Sequence, residues 1–168
     1  MDQREQFYGV IPLFPHPFRR LGYLFILIAF GFAYLYFWGG RPSFFEVPVF
    51  AIITSYAETR WFVMAQTNLL DELAHLFLIS GLVMIAFSRE HHETQAIQLC
   101  RIRALFYAVY ITSALWIVIY LTVYGWPIVI VSATVFIQLL VLFILTYRVL
   151  LFKINYGIKN KNIKKGGL

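Results

Sequence analysis

Four long apolar stretches lie along the chain, at residues 21–38, 68–88, 104–124 and 127–152. A bilayer core of roughly 30 Å needs about 20 helical residues, each rising about 1.5 Å, so all four can cross, the first only barely. The pattern predicts an all-α integral membrane protein, a four-transmembrane-helix bundle forming a single membrane domain over residues 1–168.

Residues 39–67, between the first two predicted spans, carry a different pattern. Residues 47–54 and 60–64 are rich in β-branched and aromatic side chains, and the polar run 55–59 separates them. This composition predicts a short outer β-hairpin-like loop. A re-entrant apolar segment is the alternative, since residues 47–53 are too few to span a bilayer.

The remaining segments are predicted from their flanks. Prolines in residues 1–20 interrupt any long helix, so we expect an inner interfacial segment there. Residues 89–103 form a cytoplasmic loop whose second half extends the third helix inward. Gly125, Trp126 and Pro127 form a tight outer turn, with proline suited to a helix start. Residues 153–168 form a basic cytoplasmic tail, which we expect to be disordered from Asn155.

Positive charge predicts the orientation. Twelve of the fourteen Lys and Arg residues fall on one side if the chain starts in the cytoplasm, leaving Arg41 and Arg60 on the other. The positive-inside rule therefore predicts that both termini are cytoplasmic. The same rule accounts for the formal charge of +6, so we do not expect nucleic-acid binding.

Composition excludes a soluble domain and a disulfide. Hydrophobic residues make up 61% of the chain and charged residues only 13%, too little polar surface to cover a core of this size in water. The single cysteine, Cys100, falls on the reducing side and is interpreted as an inert thiol.

Asp71, Glu72 and His75 are the candidate ligand or polar cluster, since their three- and four-residue spacings allow one helix face. Asn68 is a candidate N-cap, and the two carboxylates suit the positive end of a helix dipole. His75 and Glu72 are weak candidates for a metal site. A structural role is favoured over chemistry, and no catalytic residue is predicted.

The inner flanks give two further predictions. Contacts with lipid headgroups are expected from five basic residues, namely Arg19, Arg20, Arg101, Arg103 and Lys153, so the bilayer with anionic inner-leaflet lipids is one expected partner. Glu90, His91, His92 and Glu93 are interpreted as a solvated loop. No cofactor is predicted, although metal or haem stays open as an alternative.

Several short matches resemble an uncharacterised family of small four-helix bacterial inner-membrane proteins. They are the runs Pro17 to Gly22, Val49 to Ile52, Asn68 to Glu72 and Ser88 to Glu90, followed by Arg101 and Arg103. The resemblance implies a multi-pass protein of the bacterial inner membrane and no established activity. His91 and His92 replace the acidic residues expected after the Ser88 to Glu90 run.

Three functional hypotheses follow. The first is a non-enzymatic accessory subunit, or small sensor and interaction module, that binds another membrane protein or itself. The second is a small metal- or redox-dependent membrane enzyme acting on a lipid or quinone, with Asp71, Glu72 and His75 at the outer end of the second span. The third is an oligomeric small-solute transporter, with Ser132, Gln138 and His75 along its path.

Overall fold

The computed structural model describes residues 12–54, 60–91 and 94–165 of the 168-residue chain. It is mostly helical with one small sheet. Its elements are α1 (Pro17–Phe37), a 3₁₀ turn (Ser43–Phe45), β1 (Glu46–Thr54), β2 (Arg60–Asn68), α2 (Leu70–Ala86), α3 (Gln95–Thr122), α4 (Trp126–Ala133) and α5 (Val135–Lys165).

The chain divides into two compact units. Leu21–Gly81 form one, called here the hairpin unit, and Met1–Arg20 with Leu82–Leu168 form the other, called here the core unit. Helices α1 and α2 each contribute residues to both. A single membrane domain over the whole chain stays a prediction.

Among the described residues, three helical segments are long and apolar enough to cross a membrane, namely Pro17–Phe37, Gln95–Thr122 and Val135–Ile154. No more than 17% of the apolar window of any of them is buried inside the protein. Large apolar side chains therefore face outward along these helices, which is the arrangement of an integral membrane protein.

In the hairpin unit, α1 and α2 approach closely at a glycine. A Cβ on Gly81 would lie 2.8 Å from the carbonyl oxygen of Gly22 and 2.9 Å from Cγ1 of Ile26. The ring of Phe77 packs on α1, with ring centroids 5.1 Å from Phe25 and 5.6 Å from Phe32. Small residues at such a crossing let the two backbones approach, as is common between membrane helices.

The predicted hairpin is confirmed as a two-stranded antiparallel sheet. Its register sets Glu46 opposite Asn68 at the base and Thr54 opposite Arg60 at the far end. Each strand has nine residues, so β2 runs four residues beyond the predicted end. The predicted polar turn, residues 55–59, lies outside the described residues.

In the core unit, α3 and α5 pack through a stripe of small side chains. Cys100, Ala104, Ala108 and Thr112 recur every four residues on α3 and are all buried. The hydroxyl of Thr146 on α5 donates to the carbonyl of Ala104 at 3.2 Å. Phe143 on α5 is almost completely buried. Four-residue spacing keeps one α3 face narrow enough for this close contact.

The structure differs from expectation at the predicted fourth span. Instead of one helix over 127–152, α4 and α5 are separated at Thr134. The hydroxyls of Ser132 and Thr134 donate to the carbonyls of Val129 and Val131. Such back-bonding to the preceding turn competes with regular helical bonds and bends helices.

Helix boundaries differ at both ends of the chain as well. Helix α1 begins at Pro17, four residues before the predicted span, because proline suits a first helical turn. Helix α5 continues to Lys165, so the expectation of disorder from Asn155 is wrong over residues 155–165. Residues 1–11 of the predicted interfacial segment lie outside the described residues.

Candidate functional site

Asp71, Glu72 and His75 lie at the start of α2, where the sequence predicted them. The side-chain oxygen of Asn68 accepts a hydrogen bond from the N–H of Leu70 at 3.2 Å, which ties the strand end to the helix start. His75 uses Nδ1 to donate to the backbone carbonyl of Asp71 at 2.8 Å. One of the two ring nitrogens of His75 is therefore used in a hydrogen bond within its own helix.

The two carboxyl groups lie in the first turn of α2, where negative charge is favourable. Within the described ranges, no three His, Cys, Asp or Glu side chains are grouped closely enough to hold a metal ion. The arrangement at this site is that of a helix start.

The hairpin presents an apolar face that the sequence analysis did not single out. By register, the even-numbered residues of β1 and β2 share one face. Phe50, Ile52, Phe62 and Met64 on that face are 63%, 61%, 67% and 65% exposed. The rings of Phe50 and Phe62 lie 6.3 Å apart. We call these four residues the hairpin face.

Phe62 gives the hairpin face a strained backbone. Its φ of 51° lies in the left-handed region, which a bulky side chain rarely adopts. The register places Ile52 opposite Phe62, but these two residues are not paired across the strands. The neighbouring pairs, Ala51 with Val63 and Ile53 with Trp61, are formed. Backbone strain of this kind is typical of binding surfaces.

A second cluster joins the N-terminal segment to the end of α2, within the core unit. The N–H of Phe14 donates to the carbonyl of Phe87, and the N–H of Arg89 donates to the carbonyl of Phe14, each at 2.9 Å. These bonds form a parallel bridge between Phe14 and Ser88. The bridge holds the chain just before α1 against the chain just after α2.

Arg101 is inside the core unit and only 3% exposed. Its guanidinium donates to the carbonyls of Ser88 and Ala86 at 3.1 and 3.4 Å, and to the hydroxyl of Tyr147 at 3.1 Å. The same group lies 4.9 Å from the Tyr147 ring centroid, which adds a cation–π contact. One buried cation thus connects the end of α2 with α3 and α5.

Glu90 lies between two arginines. Its carboxylate is 2.7 Å from Arg19 and 3.9 Å from Arg148. The imidazole rings of His16 and His91 meet edge to face at 5.7 Å. The interpretation of Glu90 as part of a solvated loop is therefore wrong, while His92 and Glu93 lie outside the described residues.

Four of the five predicted headgroup residues lie at least partly at the surface. Arg20, Arg103 and Lys153 are exposed, and Arg19 is half-buried beside Glu90. Arg101 is enclosed by protein, so the predicted headgroup contact is wrong for this residue, and for the other four it stays a prediction.

The burial of Arg101 was not predicted, although the sequence contains a spacing that indicates it. Arg101 precedes Ala104 by three residues, so it shares a helix face with the small residues that contact α5. Thr94, whose hydroxyl accepts from the N–H of Ile97 at 3.4 Å, is a second missed position. It caps α3 in the ordinary way for threonine.

Comparison with known protein families, with curated proteins and with solved structures gives no match. The resemblance to small bacterial inner-membrane proteins therefore stays a prediction.

Proposed function

We propose that this chain is a non-enzymatic interaction module, an accessory subunit of a membrane complex, and that it binds its partner through the hairpin face. The observation that carries the proposal is the cluster of four large apolar side chains exposed on a sheet (Phe50, Ile52, Phe62 and Met64). Exposed apolar patches of this kind mark interaction sites.

The chemistry of the hairpin favours a protein partner over water or lipid. Water leaves the apolar face uncovered, at a cost of about 25 cal/mol for each Å². Lipid would cover the face but cannot bond the outer edges of the two-stranded sheet. A second membrane protein can do both, because an extended segment adds a strand at one edge through backbone hydrogen bonds while its neighbouring side chains cover the face.

The proposal includes four crossings, with α2 as the additional one. Its 17 residues span about 26 Å at about 1.5 Å each, close to the lower limit for a membrane helix. The Phe14–Ser88 bridge joins the chain before α1 to the chain after α2, and the Arg19–Glu90 ion pair joins the first turns of α1 to the same segment. If α1 crosses, α2 must return across the same bilayer.

The same contacts support both termini on one side. Arg148, six residues before the end of the candidate span Val135–Ile154, lies 3.9 Å from Glu90, which follows α2. Together with the distribution of Lys and Arg, this supports cytoplasmic termini and an outer hairpin in a bacterial inner membrane. A metal-dependent enzyme and a transporter stay predictions.

Photo-crosslinking in native membranes tests the proposal. p-Benzoylphenylalanine replaces Phe50 or Met64, and adducts are identified by peptide mass spectrometry. We expect both positions to crosslink to one membrane protein, within one extended segment. The added substitution Ile52→Asp should reduce the yield at least fivefold, because it sets a charge at the centre of the apolar face.

Phe30 on α1 is the matched control, since it is 68% exposed but lies on an apolar helix. It should give lipid adducts or none. The proposal is overturned if positions 50 and 64 give only lipid adducts, or if their adducts map to a second copy of this chain.

A further inference from the structure

Three enclosed polar side-chain groups of the core unit have no hydrogen-bond partner among the described residues. They are the hydroxyl of Thr112 and the indole N–H of Trp116 on α3, and the side-chain carbonyl of Gln138 on α5. Thr112 is only 8% exposed. An enclosed polar group without a partner costs free energy, and lipid around the helices offers it no hydrogen bond. Each of the three groups therefore needs a partner inside the protein.

Helices α3 and α5 run antiparallel where they pack. The guanidinium of Arg101 donates to the hydroxyl of Tyr147, whereas the carbonyl of Ala104, further along α3, accepts from Thr146, which comes earlier on α5. The contact between Ala104 and Thr146 therefore gives a starting point from which the facing residues can be counted.

The count brings the three unpartnered groups to adjacent turns of the same interface. Four residues rise about 6 Å on each helix. Two such steps from the Ala104 contact place Thr112 opposite Gln138, and a third places Trp116 opposite Thr134. The groups thus lie beside the point at which α4 and α5 separate.

The hydroxyl of Thr134 determines how the Gln138 amide is oriented. It donates its single hydrogen to the carbonyl of Val131 at 2.8 Å, so toward Gln138 it can only accept. The amide nitrogen of Gln138 donates to it at 3.4 Å. The carbonyl oxygen of the amide is therefore the group that is left to accept another hydrogen bond.

The chemistry of the three groups matches a small neutral ligand. Trp116 offers a donor, Gln138 an acceptor, and Thr112 a hydroxyl that can do either. Residues 104–147 contain no Asp, Glu, His, Lys or Arg, so this stretch has no charged side chain to hold an ion. All three groups are enclosed, so neither a second chain nor a lipid headgroup reaches them. Water is the smallest molecule that both donates and accepts, and it commonly bonds such buried groups.

We propose that the interface between α3 and α5 binds a water molecule within the membrane. The water accepts from the indole N–H of Trp116 and donates to the carbonyl oxygen of Gln138 and to the hydroxyl of Thr112. It connects the two helices next to Thr134, where the helix path is interrupted. The site goes beyond the proposed docking function and does not depend on it.

The test is proton NMR of the full-length protein in mild-detergent micelles, with isotope-labelled tryptophan and with Trp116→Phe to assign the indole signal. A bound water gives the indole proton NOE and ROE cross-peaks to water of opposite sign, whereas exchange of that proton with solvent gives the same sign in both. We expect opposite signs for Trp116. Gln138→Leu should reduce the NOE at least threefold, because the water loses an acceptor.

Thr112→Val is the control for indirect transfer through a hydroxyl proton that exchanges with solvent. It should keep at least half of the NOE, since the water retains Trp116 and Gln138. Loss of the NOE in this variant would assign the signal to the hydroxyl and overturn the site.

Melting temperatures give an independent measurement. Trp116→Phe and Gln138→Leu should each lower the melting temperature, because each leaves the water with one partner fewer. Their combination should lower it by less than the sum of the two shifts, since the interface is then apolar on both sides. Gln138→Leu with Thr122→Val, at an exposed position on α3, is the matched control pair and should be additive.

The other results that contradict the site are distinct from one another. An NOE that is unchanged in Gln138→Leu, or equal signs in the unchanged protein, would exclude a bound water. Non-additive melting temperatures without any NOE would identify a direct bond between Trp116 and Gln138 instead. Additive shifts in both pairs would show that the two side chains share no ligand.

Discussion

A guanidinium inside a membrane protein needs several acceptors, because charge in an apolar surrounding costs free energy that hydrogen bonds must offset. Arg101 donates to the carbonyls of Ala86 and Ser88 and to the hydroxyl of Tyr147. All three acceptors belong to buried residues, so the charge is shared with groups inside the protein. Its removal affects three segments at once.

We therefore expect Arg101→Met to destabilise the protein by about 2 kcal/mol or more, since buried carbonyls lose a charged donor. Tyr147→Phe, which loses one hydrogen bond, should cost about 1 kcal/mol. Thermal unfolding in mild detergent measures both. Arg103→Met is the control, because Arg103 is exposed two residues further along α3. Equal melting temperatures for Arg101→Met and the unchanged protein would refute the role.

The sequence shows which residues are charged, but it does not show whether each of them is buried or exposed. Arg101 and Arg103 look alike in the sequence, as basic residues before an apolar run. Their different burial follows from rotation about the helix axis, about 200° over two residues at 3.6 residues per turn. Which of the two arginines is buried can be predicted only when the face of α3 that contacts α5 is known.

Among the elements, the contact between α1 and α2 depends on the absence of one side chain. Any Cβ on Gly81 meets the backbone of α1, and backbone atoms cannot rotate away. The helices must then separate, losing dispersion contacts over the whole crossing. Replacing Gly81 with a larger residue should therefore destabilise the protein far more than replacing a glycine whose Cβ would meet no other atoms.

Gly81→Leu is expected to lower the melting temperature by several degrees and to weaken packing of Phe77 against α1. Gly31→Leu should leave the melting temperature unchanged or slightly raised, because a Cβ at Gly31 meets nothing within 4 Å. Leucine also favours helix over glycine by about 1 kcal/mol. Thermal unfolding of the two variants side by side makes the comparison. Equal effects would mean that α1 and α2 do not depend on this contact.

Element types were largely predictable from the sequence, but one interruption was not. Alternating β-branched and aromatic residues indicated the hairpin, whose existence is confirmed. The break at Thr134 falls within a stretch that is strongly apolar on average, so mean hydropathy gives no sign of it. Its cause is the hydroxyl bonding of Ser132 and Thr134, which hydropathy does not register.

For the whole molecule, the decisive question is whether α2 crosses the bilayer. If it crosses, Gln66 on β2 and Gln95 at the start of α3 lie on opposite sides. If it lies along the surface, they share a side. Both side chains are exposed, so substituted cysteines will react wherever reagent is present.

Single cysteines at these two positions, in a Cys100→Ala background, are treated with a membrane-impermeant maleimide on intact cells. We expect labelling at Gln66→Cys and none at Gln95→Cys. Permeabilised cells should label both, which controls for reactivity. Labelling of both positions in intact cells would remove the fourth crossing and the cytoplasmic C-terminus together.

The membrane location of the chain was predictable because length and hydropathy are properties of local sequence. The hairpin face and the contact between Glu90 and Arg148 were not, because each depends on residues brought together by folding. Phe50 and Met64 meet across two strands, whereas Glu90 and Arg148 meet between a loop and a distant helix. Such pairings require the tertiary fold.

The ion pair between Arg19 and Glu90 also has a consequence during biosynthesis. Its partners are 71 residues apart, so Arg19 leaves the ribosome about 4–14 s before Glu90 at roughly 5–20 residues per second. If α2 crosses the bilayer as proposed, this ion pair and the neighbouring Phe14–Ser88 bridge can close only after α2 has returned to the side on which α1 began. Their closure would then mark the completed insertion of α1, the hairpin and α2, before the remaining helices are synthesised.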